Sequence, residues 1–132
     1  MAILDDVRQY LTIQGAVSTF WPCYIGFLPD NSDQAIGLFE YPGLPAETLA
    51  REIETVSFQV RVRGARSDYA TVRAKWEECF NLLQDAQASS GSSPSWLPGV
   101  VFIQAKQFGP IHLNDEKGRP NFESNFRVKR YR

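Results

Sequence analysis

Few residues in this chain have the type and spacing to do covalent or metal chemistry. There is one histidine, His112. A tetrahedral zinc site needs three or four ligands, and no such set is spaced around it, so His112 reads as a loop or strand-end residue. Asp115-Glu116 is the nearest thing to a carboxylate pair for acid–base work. It sits beside Lys117 and Arg119 in the turn-rich stretch Asn114-Asp-Glu-Lys-Gly-Arg-Pro120, where a solvated turn is the simpler reading. Cys23 and Cys79 form no CxxC motif and read as buried free thiols in a reducing cytoplasm. No GxSxG, HExxH, Walker or GxGxxG pattern occurs. The expectation is a chain with no catalytic residues, no metal, no cofactor and no enzymatic activity.

What remains is charge, presented by strands. In Val56-Ser-Phe-Gln-Val-Arg-Val-Arg-Gly64, Val56, Phe58, Val60 and Val62 point one way and Ser57, Gln59, Arg61 and Arg63 the other. Arginines are seldom buried without partners, so this outward face is expected to meet water, a partner or a polyanion. The last strand, about Asn121–Tyr131, repeats the device, with Phe122, Phe126 and Val128 opposite Glu123, Arg127 and Lys129. Basic residues interleaved with aromatics invite comparison with RNA binders, yet these phenylalanines share a face with Val128 and read as core.

The formal net charge of −1 hides a segregation. Residues 1–54 hold eight acids and two bases, residues 117–132 six bases and one acid. Either these charges pair inside the monomer, or the acidic part of one copy faces the basic part of the next. The second arrangement is a head-to-tail contact, which closes into a ring when the rotation allows it. Arg61, Arg63, Arg127 and Lys129 are the candidate contact residues.

At 132 residues the chain is read as one domain, 1–132, large enough for a real core. It shows no run of about 18 apolar residues to span a membrane and no signal-peptide pattern at its start. Residues 1–13 predict a short helix ended by Gly15. Cys23–Leu28 and Gln34–Tyr41 predict a hairpin across the turn Pro29-Asp30-Asn31-Ser32. Tyr41-Pro42-Gly43-Leu44-Pro45 opens a long loop. A third strand spans about Glu54–Arg63. A long helix follows over about Ser67–Ala88, capped by Ser67 or Asp68, with Tyr69, Val72, Trp76, Phe80 and Leu83 as its apolar stripe. Ser89–Ser95 has the composition of a mobile linker, and Val100–Phe108 predicts a fourth strand. The expected fold is α+β: a mixed, mostly antiparallel sheet of about five strands, one long helix packed on one face, and a short N-terminal helix. Val60, Val62, Trp76, Phe80, Ile103 and Phe126 are expected in the core.

The order of elements resembles the tail-terminator, or tail-completion, proteins of long-tailed bacteriophages, often labelled minor capsid proteins. The residues that carry the resemblance are Phe39-Glu-Tyr-Pro-Gly43, Phe58-Gln-Val-Arg-Val-Arg-Gly64, and Asp68-Tyr69-Ala70 opening a helix with Leu82-Leu83 near its end. The resemblance implies a non-enzymatic virion protein, assembled in the host cytoplasm and placed at the head–tail junction. It implies a ring, typically of six copies, that caps the head-proximal end of the tail tube, stops tube polymerisation and offers the head-docking surface. The partners implied are further copies of itself, the tail tube protein and the head-completion or connector protein, with DNA passing through the lumen without sequence-specific binding. The basic rows would then meet a neighbour or line that lumen. A different class stays open: a small soluble ligand-binding domain or enzyme with a pocket between helix and sheet.

Overall fold

In a computed structural model that describes residues 3–40, 53–84, 100–105 and 109–131, the alternating strand is the centre of the molecule. This is β3 (Ile53–Arg63), preceded by α1 (Ile3–Ile13), β1 (Cys23–Ile25) and β2 (Ala35–Glu40). It is followed by α2 (Tyr69–Leu83), β4 (Val100–Ala105), β5 (Ile111–Asn114) and β6 (Pro120–Tyr131). The sheet order is β1-β2-β3-β6-β4, and β5 also pairs with β6. β4 lies along residues 126–130 of β6 and β5 along residues 120–123, so the two share the last position in the sheet. β3 and β6 run antiparallel in unbroken register, with Phe58 opposite Phe126 and Arg61 opposite Glu123.

The even-numbered residues of β3 and β6 form the helix-covered face. Phe58, Val60, Val62, Phe122, Phe126 and Val128 are buried there with Ile36 and Leu38 of β2 and Ile103 of β4. From α2, Val72, Trp76, Cys79 and Leu83 pack onto them. The rings of Phe58 and Phe126 stack 5.3 Å apart. Trp76 carries one polar atom into this layer, and its Nε1 donates to Ser124 Oγ at 2.7 Å. Phe80 and Tyr69, expected in the apolar stripe, sit at its margin, Phe80 half-buried and Tyr69 about half exposed. α1 adds Ile3, Leu4, Val7 and Leu11 at helical spacing, and its Tyr10 hydroxyl donates to the Leu82 carbonyl at 2.9 Å. Gly15, at φ 87°, ends α1, where the Ala16 N–H returns to the Leu11 carbonyl and the Gly15 N–H to that of Thr12, a Schellman closure.

Four expectations are corrected. Among the described residues the fold has no long helix: α2 is 15 residues, about four turns, and the sheet has six strands rather than about five. β1 and β2 are not a hairpin, because they pair in parallel, Cys23 with Ile36 and Ile25 with Leu38. The start of α2 is not closed by a side chain: Asp68 is the N-cap residue but its carboxylate makes no capping hydrogen bond. The left-handed residue of the β3–α2 turn is Ser67, at φ 63°. Gly64 is needed for space, since a Cβ there would meet Val72 Cγ2 at 2.0 Å. The expected Tyr41–Pro45 turn, the end of the predicted helix at 85–88, the Ser89–Ser95 linker and the end of the fourth strand at 106–108 lie outside the described residues.

Candidate functional site

Strand alternation places Arg61 on the helix-free face, in a row that runs Tyr24, Gly37, Arg61, Glu123, Ile111 across the sheet. Arg61 Nη2 lies 2.8 Å from Glu123 Oε1, and the guanidinium sits over the Phe39 ring, 5.1 Å from its centre. Gln59 Nε2 donates to Asn125 Oδ1 at 3.2 Å. No described helix covers this side, yet Ser57, Asn121, Glu123 and Asn125 are all buried. The floor opens into a concavity of about 440 Å³ lined by Leu28, Phe39, Arg61, Leu113, Asn121 and Glu123 among others.

Arg63, next on the same face, is 5% exposed. Its Nε donates to the Asp33 carbonyl at 3.1 Å, and Nη2 donates to the carbonyls of Pro29 and Ser32. Burial lowers its pKa below the usual arginine value, with a further push from Arg119 nearby. Arg63 therefore holds the β1–β2 connection down on the sheet. Arg119 performs the same task from the β5–β6 turn. Its Nε donates to Asp115 Oδ2 at 2.7 Å, and its Nη2 to Asp30 Oδ1 at 2.9 Å. Its Nη1 donates to the Asp30 carbonyl at 3.1 Å and reaches Asp33 Oδ1 at 3.5 Å. Lys117 adds an exposed pair with Asp30 at 2.6 Å. The hydrogen bond from Lys117, then that from Arg119, holds the Asp30 carboxyl below its ordinary pKa. For Asp115, burial pushes upward, but the hydrogen bonds from Arg119 and Lys117 outweigh it and leave it low as well. Backbone bonds tie in the β3–α2 turn, where Gly64 N–H meets the Pro120 carbonyl and Ser67 N–H that of Gly118.

Arg127 and Lys129 are half-buried on the same helix-free face, further along β6. At 3.3 Å per residue, Arg127 is about 13 Å from the Arg61–Glu123 pair. The structure thus brings Arg61 and Arg63 together at one end of the sheet and keeps Arg127 and Lys129 apart from them. Sequence reasoning missed Arg119, Asp30, Asp33 and Lys117 as one cluster. The available signal was the charge segregation itself, since acids of the first segment meet bases of the last.

The remaining candidates are structural. His112 lies on β5, stacked on Phe122 at 4.8 Å with Tyr69 edge-on at 5.1 Å. Among the described residues no three His, Cys, Asp or Glu side chains converge as metal ligands. Cys23 and Cys79 are free thiols, and burial pushes both up to about 12. Two further concavities lie on the outer surfaces of α1, beside Arg8 and Ile13, and of α2, beside Trp21 and Ala74. Between α2 and the sheet, the described space is filled by Trp76, Leu83, Phe58 and Phe126.

The described residues form a packed two-layer α+β fold whose polar groups hold loops and pair charges on its surface. Comparison with known families places that fold. A family model described as bacteriophage tail terminator protein matches residues 6–132. The chain belongs to that family. It is a structural protein of the virion tail, where it meets tail and head components. A search of curated proteins finds no significant match. No described helix is long and apolar enough to cross a membrane.

Proposed function

We propose that this chain is a ring-forming terminator, six copies of which cap the head-proximal end of the tail tube. The ring stops further addition of tube subunits and presents the surface on which the DNA-filled head docks as a minor capsid component. The family match across residues 6–132 is the observation that carries this reading. The partners are neighbouring copies, the tube protein and the head-completion protein, and DNA crosses the lumen without sequence readout.

The basic residues of the helix-free face divide the work. Arg61 and the pair Arg127 and Lys129 face a neighbour or the lumen, while Arg63 acts through the loop it holds. Charge at such a contact speeds encounter and fixes register more than it tightens binding. It also makes assembly salt-dependent once the screening length falls below about 10 Å.

The test is tube length. Tube subunits assembled without this chain are expected to give tubes of uncontrolled length in negative stain, and adding the chain before assembly is expected to fix the length and produce a terminal ring. Tubes that ignore the chain, together with a strictly monomeric mass at all concentrations, overturn the proposal. Arg127→Glu with Lys129→Glu is expected to weaken capping or head joining while the variant keeps the parent's far-UV circular dichroism at room temperature.

A further inference from the structure

The two edges of the sheet are built to fit each other. Among the described residues β5 pairs only with β6, and β1 only with β2. β5 runs antiparallel to β6, β6 to β3, and β3 to β2, while β1 runs parallel to β2. β5 and β1 therefore point in opposite directions at the two ends of one sheet. A copy placed beside another in the same orientation would bring the two edges together as an antiparallel pair.

The backbone hydrogen-bonding phase agrees. In the β5–β6 hairpin, Asp115 N–H donates to the Arg119 carbonyl. Narrow and wide pairs alternate along an antiparallel ladder, so Leu113 and Ile111 bond to β6 while His112 and Asn114 turn their N–H and C=O groups outward. Pro120, opposite Asn114, fits a position where no N–H is needed on that side. In β1, the Pro22 carbonyl accepts from Ile36 and the Gly26 N–H donates to Leu38. By the same alternation Tyr24 bonds to β2, and Cys23 and Ile25 face outward. Each edge thus offers two outward residues, two positions apart.

The side chains agree too. All four residues of β5 are exposed, with Leu113 at 54% and Ile111 at 43%. Both lie on the helix-free face, as does Tyr24 of β1, whose ring packs against the exposed Phe27 at 5.2 Å. The neighbouring edge strand is treated differently: the Ala105 N–H of β4 is capped by Gln84 Oε1 at 2.8 Å. An apolar edge left open beside a capped one is a template for another chain.

We infer that the β5 edge of one copy pairs antiparallel with the β1 edge of the next, His112 against Ile25, Asn114 against Cys23, and Leu113 against Tyr24. This register uses all four outward residues and keeps every side chain on the face it already occupies. The contact is heterologous, so it propagates around a ring rather than stopping at a dimer. It rests on the ring reading above and gives that ring its joint.

Two experiments test it. Leu113→Lys is expected to leave the monomer's melting unchanged and to weaken self-association by about 30-fold or more, as loss of a central apolar anchor does. Adding Tyr24→Glu is expected to recover most of that loss, since the two charges would be cross-strand neighbours. Leu113→Cys with Tyr24→Cys, in a Cys23→Ser, Cys79→Ser background, is expected to give a ladder of cross-linked copies on oxidation, because facing wide-pair residues have suitable Cβ separation. If the chain forms rings that Leu113→Lys does not weaken and the cysteine pair does not cross-link, this joint is wrong and the ring reading stands. If no ring forms even on tail tubes, both fall.

Discussion

The two faces of β3 are built from alternate residues of one strand and use opposite means of burial. On one face Phe58, Val60 and Val62 lie under α2 and are shielded by a second layer. On the other, Ser57 and Arg63 are nearly as inaccessible with no described helix above them. There the shield is polar: Arg61 lies against Glu123 and Phe39, Gln59 bonds Asn125, and Arg63 carries the 29–33 loop. Apolar burial tolerates imprecise partners, because it scales with area. Polar burial does not, because every donor left without an acceptor incurs its desolvation cost. The helix-covered face should therefore respond to lost volume, and the helix-free face to lost partners.

The largest effect is expected where both rules meet. Trp76→Ala removes the biggest side chain of α2 from the core and leaves Ser124 Oγ without its 2.7 Å donor. A loss of about 3–5 kcal/mol is expected in chemical denaturation. Trp76→Phe, which keeps most of the volume but not the donor, should recover more than half of it. Equal losses for the two variants would show that the buried hydrogen bond, and not packing, governs this face.

Arg119→Ala is the corresponding cut on the polar side. It removes the donor that joins Asp30 and Asp115 and frees the turn from the β1–β2 connection. A loss of about 2–3 kcal/mol is expected. Arg119→Lys should recover little, since one ammonium cannot match the three nitrogens that bond here. Hydrogen exchange should then report faster opening of residues 26–34 than of β3. A uniform change across the sheet would show that the clasp is not a separate unit.

How much of this could be read from sequence follows the same division. Period-2 and period-3.6 patterns mark β3, β6 and α2, because residues that face an apolar layer must repeat at the element's own spacing. Those patterns carry no strand direction. The 29–32 stretch has hairpin composition, yet β1 and β2 run parallel, and the connection between them is bonded by Arg63 and Arg119 from distant parts of the chain. Arg63 likewise occupies an outward position that looks solvated until the loop folds over it. β5 is too short for periodicity to register, and its significance comes from its place at an edge. The basic residues of the helix-free face were legible as a row of charge, but not which of them hold the monomer together.

Acid should separate the two faces further. The Asp30 and Asp115 carboxyls are held below their ordinary values. A depressed carboxyl contributes stability above its unfolded pKa and loses it as pH falls through the folded one. The clasp is therefore expected to be intact from neutrality to about pH 4 and to weaken below that. Melting scans between pH 5 and 2 should fall more steeply for the parent than for Arg119→Ala. Parallel curves would show that other carboxylates carry the acid response.

The smallest effect is expected from Lys117→Ala, and its smallness sharpens the contrast. Lys117 and Arg119 bind the two oxygens of one carboxylate, Asp30, at 2.6 and 2.9 Å. By distance alone Lys117 is the better partner. Its side chain is 57% exposed, however, against 5% for Arg119. Exposed pairs gain little over hydration and are screened by salt, so Lys117→Ala should lower the melting temperature by no more than about 2 °C. Adding 0.5 M salt should erase even that difference, and should leave most of the Arg119→Ala loss in place. A Lys117→Ala effect as large as that of Arg119→Ala, persisting in salt, would show that contact distance rather than burial sets the strength of the clasp.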